Sequence, residues 1–114
     1  MVECLEIIFT NDSRLEEAII KTKAQLIILD PIQAYIGANV DMHRANEVRP
    51  IFKKLSEIAE KYNCAVILIG HMNKASMSKS TYRGLGTIDI QAAARSVLIV
   101  GRMRENPETR IMVQ

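Results

Sequence analysis

Two polar side chains stand directly beyond long apolar runs, and their types suit metal and phosphate chemistry. Asp30 closes "LIILD" (26–30) with Pro31 next, and His71 follows "AVILIG" (65–70). A carboxylate at the tip of a buried strand is costly unless it has a partner or a task. It can hold the hydration shell of Mg2+, which keeps several waters and accepts few protein ligands. A neighbouring histidine, asparagine or lysine can sense or stabilise a terminal phosphate. Structural roles compete with both assignments: a cap or turn residue before Pro31 for Asp30, and a hydrogen-bonded strand-end histidine for His71.

Further along, residues 72–86 carry Lys74, Lys79 and Arg83 with no acidic residue, and Tyr82 lies among them. Such a segment can contact a phosphate backbone and stack on a base; it can equally be an ordinary solvated loop. Arg95 sits in "AAARS", between alanines and an apolar run, where a guanidinium needs a carboxylate or phosphate partner. An internal salt bridge with Asp89 or another acid would serve as well. "YRGLGT" (82–87) offers two glycines but no lysine after them, and no G-x-x-x-x-G-K-[ST] phosphate loop occurs in the sequence.

The elements that must position these residues follow from periodicity. "CLEIIF" (4–9) reads as a short strand. "NDSRLEEAIIKTK" (11–23) reads as a helix, with Ser13 and Glu16 at capping-box spacing and Leu15, Ala18, Ile19 and Thr22 on one face. "LIILD" and "AVILIG" are apolar on both faces, as strands inside a parallel sheet are. Between them, residues 41–62 place Met42, Ala45, Val48, Phe52, Leu55, Ala59 and Tyr62 at steps of three and four, the mark of an amphipathic helix. Pro50 must kink that helix or open its second segment. After the long polar stretch, which is of a length that is usually functional or disordered, "TIDIQAAARS" is a short helix candidate. "VLIVGRM" reads as a third apolar strand and "TRIMVQ" as the start of a fourth, with hairpin composition in "ENPET". Alternating strand and helix argue for an α/β fold with a largely parallel sheet, in which ligands sit beyond the carboxyl ends of the strands. Asp30 and His71 then converge on one crevice.

Composition narrows the class. The chain has 114 residues, 48% hydrophobic and 25% charged, with a net charge of only +2. That is one domain at most, and any basic footprint must be local. Cys4 and Cys64 show no metal-ligand spacing and read as small buried thiols in a reducing compartment. No apolar run nears the ~20 residues of a membrane span, and no signal-peptide pattern opens the chain, so the expected location is cytoplasmic. "TRIMVQ" stops in mid-pattern, and the first strand begins within a few residues of Met1; both ends look cut.

"LIILDPIQAYIG", "DMHRANEVRPIFKKLSEIAEKYNCAVILIGHMNK" and "KSTYRGLGTIDIQAAARSVLIVGR" together resemble the RepA-like branch of RecA-fold ATPases. More closely, they resemble AAA-family ATPases of bacterial, phage and plasmid replication. The resemblance runs from residue 12 through nearly the whole chain. It implies a partial RecA-like P-loop NTPase fold, a mainly parallel sheet flanked by helices. Asp30 becomes the Walker B carboxylate that holds Mg2+ through water, and His71 the histidine near the γ-phosphate, with Asn73 and Lys74 beside it. The stretch from Asn73 to Gly86, with Lys74, Lys79, Tyr82 and Arg83, takes the place of the central-channel loop for single-stranded DNA. Arg95 falls where an arginine finger reaches the neighbouring subunit, with Arg83 and Arg102 as competitors. ATP, Mg2+, single-stranded DNA and a homo-oligomeric ring are the cofactors and partners of the complete protein.

The departures from that family are absences: a Walker A loop, a strand ending in the catalytic glutamate, and a final lysine-bearing strand and hairpin are not found in the sequence. The resemblance therefore makes residues 1–114 the C-terminal portion of one ATPase domain, inactive alone and prone to self-association. Two other classes compete. One is a non-catalytic oligomerisation or ssDNA-binding module. The other is a phosphoacceptor switch, which needs an acidic pair after the first strand where "IIFTND" offers only Asp12.

Overall fold

A computed structural model describes residues 13–37, 40–41, 44–71 and 92–114. The chain forms α1 (Arg14–Thr22), β1 (Leu26–Leu29), the single turn α2 (Gln33–Ile36) and α3 (Ala45–Lys61). It continues through β2 (Ala65–Leu68), β3 (Ile99–Arg102) and β4 (Arg110–Val113). The first expected strand, residues 4–9 with Cys4, lies outside the described residues.

In α1 the four-residue step buries Leu15 and Ile19, while Ala18 is half-buried and Thr22 exposed. The expected capping box does not form. Ser13 already has helical backbone angles and its hydroxyl bonds the Glu17 carboxylate, while Glu16 turns instead to two partners at the end of α3. The Lys61 ammonium and the Tyr62 hydroxyl outcompete one backbone N–H for that carboxylate, because together they bring two donors and a full opposite charge.

α3 runs as one helix through Pro50 rather than as two segments. Pro50 leaves the Asn46 carbonyl without its intrahelical donor. Val48, Ile51, Phe52, Leu55 and Ile58 are the buried positions. Ile51 and Ile58 widen the stripe read from sequence, Ala59 and Tyr62 flank it half-buried, and Met42 lies outside the described residues. The helix ends in a Schellman turn. Cys64 N–H donates to the Ala59 carbonyl at 3.0 Å and Asn63 N–H to Glu60 at 3.3 Å, with Asn63 at φ 49°. Asparagine tolerates that left-handed conformation better than most residues.

From this turn the chain enters β2, where Ala65 N–H bonds the Gln25 carbonyl at 2.8 Å. β1 and β2 pair in parallel, Leu26 opposite Ala65 through Leu29 opposite Leu68. Ile27 and Leu29 join Leu15, Ile19, Ile32, Ile36, Ile51, Leu55 and Ile58 in one core, with Val66 and Leu68 packed against it. Both helices thus cover the same face of the pair. The opposite face, with Leu26, Ile28 and Ile67, is exposed. This corrects the expectation of two strands buried on both faces: no element among the described residues lies over the second one.

β3 and β4 form an antiparallel hairpin, Ile99 opposite Val113 and Arg102 opposite Arg110, turning through "ENPET" as its composition suggests. They make a separate two-stranded sheet, so the described fold is mixed α/β with one parallel and one antiparallel pair rather than a mainly parallel sheet. Every residue of both strands is exposed. Of the helix expected over 87–96, residues 92–93 are helical, Arg95 lies in a bend, and 87–91 fall outside the described residues.

Candidate functional site

The parallel register brings the carboxyl ends of β1 and β2 level, and two backbone bonds lock the two strand exits together. Ile69 N–H donates to the Leu29 carbonyl at 2.9 Å, and Ile32 N–H to the Ile69 carbonyl at 2.8 Å. Asp30 sits in the turn between Leu29 and Ile32, both of which are buried, and the Asp30–Pro31 peptide is cis. Ile32 and Ile36 anchor that turn from below, the first wholly inaccessible to solvent. The chain on either side of Asp30 is held in the core, so its side chain emerges at a fixed edge.

His71 emerges at the same edge from β2. Its Nε2 lies 3.6 Å from Asp30 Oδ1, with the two side chains 74% and 54% exposed. The carboxylate is therefore an open group rather than a buried one, and its cost at the strand end is small. A solvent-exposed carboxylate suits a cation that keeps its own hydration shell. Among the described residues, no three His, Cys, Asp or Glu side chains gather into a cage. The donor set fits one corner of a Mg2+ site completed by water and phosphate oxygens.

The remaining sequence-derived candidates divide cleanly. Asn73, Lys74, Lys79, Tyr82 and Arg83 lie outside the described residues. Arg95 is exposed rather than enclosed in apolar company. Cys64 is a free, half-buried thiol. No described helix is long and apolar enough to cross a membrane.

One polar cluster has no counterpart in the sequence pattern. Glu16 accepts from Tyr62 Oη at 2.6 Å and from Lys61 Nζ at 2.9 Å, and the Lys61 ammonium stands 4.9 Å from the Tyr62 ring centre. The Tyr62 bond first, and Lys61 second, hold the Glu16 carboxyl below its ordinary range; Glu16 in turn pushes the Lys61 ammonium up. These residues are 45 and 46 positions apart, and no local spacing signals such a contact.

No curated protein and no solved structure matches the chain. A family model described as an AAA domain matches residues 5–77, well over half of the sequence and inclusive of both strands of the parallel pair, Asp30 and His71. With a parallel β-α-β unit that carries a carboxylate and an imidazole on its carboxyl edge, this chain belongs to the AAA domain family of P-loop-ATPase-like proteins.

Proposed function

We propose that the chain carries the Walker B and sensor part of a RecA-like, RepA-related ATPase that works on DNA in replication, recombination or repair. The observation that supports this most is the meeting of Asp30 and His71 at 3.6 Å across the carboxyl ends of adjacent parallel strands, the edge where such sheets bind ligands. Membership of the AAA family supports ATP and Mg2+ as the cofactors of the complete protein. Asp30 would hold the hydrated Mg2+, which supplies charge neutralisation between the phosphates when bound.

In this reading His71 hydrogen-bonds the terminal phosphate and reports its state to the backbone beyond Gly70, with Asn73 and Lys74 as further donors. Lys74, Lys79, Tyr82 and Arg83 contact single-stranded DNA, and Arg95 is the finger toward the next subunit of a ring. No G-x-x-x-x-G-K-[ST] occurs in the sequence, so the phosphate cradle comes from outside these residues, and the 114-residue chain alone does not hydrolyse ATP. Backbone N–H groups and the lysine of that cradle provide most of the grip on Mg·ATP.

The test uses the complete protein. Asp30→Asn should abolish Mg2+-dependent hydrolysis, and His71→Ala should spare nucleotide binding while lowering kcat. Wild-type turnover in both variants would remove the proposal. A second reading, a non-catalytic oligomerisation or ssDNA-binding module, draws support from the exposed apolar hairpin. Hydrolysis lost in Asp30→Asn would decide against it.

A further inference from the structure

Arg102 and Arg110 stand directly opposite each other in the β3–β4 hairpin. The next pair toward the turn is hydrogen-bonded, since Met103 N–H donates to the Thr109 carbonyl at 3.2 Å. Antiparallel pairs alternate, so Arg102 and Arg110 form a non-hydrogen-bonded pair, the kind whose side chains stand closest, with Cα atoms about 4.5 Å apart. Like charges in that position repel. The turn offers two carboxylates, Glu105 and Glu108, yet neither guanidinium forms an ion pair among the described residues. Arg110 Nη1 donates instead to the Pro107 carbonyl at 2.6 Å, which steadies that guanidinium and leaves its remaining N–H donors open. Two exposed positive charges thus share one face with no carboxylate to balance them.

Charge selects what balances them. A carboxylate or a phosphodiester brings a single negative charge, whereas a phosphomonoester carries about −1.5 to −2 near neutral pH and an additional acceptor oxygen. Planar guanidinium forks suit such an oxyanion. On the same face, one step of the two-residue alternation away, lie Val100 and Met112, 62% and 64% exposed. They form an apolar platform about 6.6 Å along the strands from the arginine pair, beside which the sugar or base of a nucleotide can bury surface. We propose that the Arg102–Arg110 pair is a site for the terminal phosphate of a nucleotide, with Val100 and Met112 receiving its apolar body. The site lies on a different sheet from Asp30 and His71 and does not depend on the reading of that edge. A free nucleoside monophosphate and the 5′-phosphorylated end of a strand share this chemistry.

The experiment follows the arginine Nε–H signals of the 114-residue chain by NMR. The titrants are thymidine monophosphate, thymidine, inorganic phosphate, and a short thymidine oligomer with and without a 5′-phosphate. Expected are shifts at Arg102 and Arg110 with the monophosphate and the phosphorylated oligomer, none with thymidine or the unphosphorylated oligomer, and weaker binding of inorganic phosphate. Equal affinity for the monophosphate and the phosphorylated oligomer assigns the site to the nucleotide unit, and preference for the oligomer assigns it to a strand end. Arg102→Gln and Arg110→Gln should each lower affinity about 10-fold, and Arg104→Gln, outside the pair, less than about 2-fold. Arg102→Lys keeps the charge without the fork and serves as a second variant if the glutamine form loses its circular dichroism; it too should bind more weakly. Equal losses at Arg102, Arg104 and Arg110 overturn the site in favour of diffuse attraction to a basic hairpin. Unphosphorylated oligomer bound as tightly as the phosphorylated one overturns the terminal phosphate, and inorganic phosphate bound as tightly as the monophosphate overturns the nucleotide. No shift at millimolar ligand overturns the site itself.

Discussion

The Glu16 carboxylate and the Tyr62 hydroxyl meet at 2.6 Å, joining the first turn of α1 to the residue that closes α3. With Lys61 on the same oxygen, this contact holds the Glu16 pKa below its ordinary 4.5. A depressed carboxyl contributes stability that is complete above 4.5 and fades as pH falls through the lowered folded value. Tyr62→Phe removes the largest cause, so Glu16 should titrate closer to 4.5 in that variant. Carboxyl carbon shifts followed against pH measure it; an unmoved midpoint would mean that Lys61 alone sets the value.

Ile32 is wholly buried two residues after Asp30, so core and site are mechanically joined there. Ile32→Ala should cost about 3 kcal/mol of stability through the cavity it leaves. The same change frees the turn that carries Asp30. Urea denaturation gives the first effect, and a weaker metal affinity in the still-folded protein gives the second.

Val100 and Met112 face each other across the hairpin and are 62% and 64% exposed. Paired apolar strands with open edges are templates for another chain. The isolated chain should therefore self-associate as concentration rises, and Met112→Glu should shift it toward monomer. Multi-angle light scattering reads both. A monodisperse native monomer at high concentration would contradict the expectation.

For Arg95 the decisive measurement is complementation in the complete protein. As a finger acting in trans, Arg95→Ala should spare nucleotide binding and lower kcat by about 10³. Asp30→Asn should instead disable the subunit's own site. Mixed rings should then regain hydrolysis wherever an intact Arg95 faces an intact Asp30. Rings no more active than the sum of their parts, with Arg95→Ala unfolding early, would return Arg95 to a structural role.

The β1–α3–β2 unit is legible in the sequence because its signals are local. Two unbroken apolar runs flank a helix with apolar steps of three and four, which permits few arrangements besides a parallel pair. That arrangement in turn puts Asp30 and His71 on one edge. Burial is not legible. "LIIL" and "AVIL" look two-sided in composition, yet Leu26, Ile28 and Ile67 face solvent, since sequence shows what a face would bury but not what covers it. The capping box at Ser13 fails for a related reason: Glu16 has a better partner 46 residues away.

The Schellman turn at Tyr62–Asn63–Cys64 also works as a phase-setter. It delivers Ala65 opposite Leu26, and the rest of β2 inherits that alignment. Strand side chains alternate with a period of two residues and advance about 3.3 Å per residue. A single inserted residue that slipped into β2 would turn Val66 and Leu68 outward and carry His71 to the wrong side of Asp30. Two inserted residues would restore the facing but overshoot the edge. Length variation is thus tolerable in the β3–β4 turn, which carries none of the described residues of that edge, and forbidden in the short joint between α3 and β2.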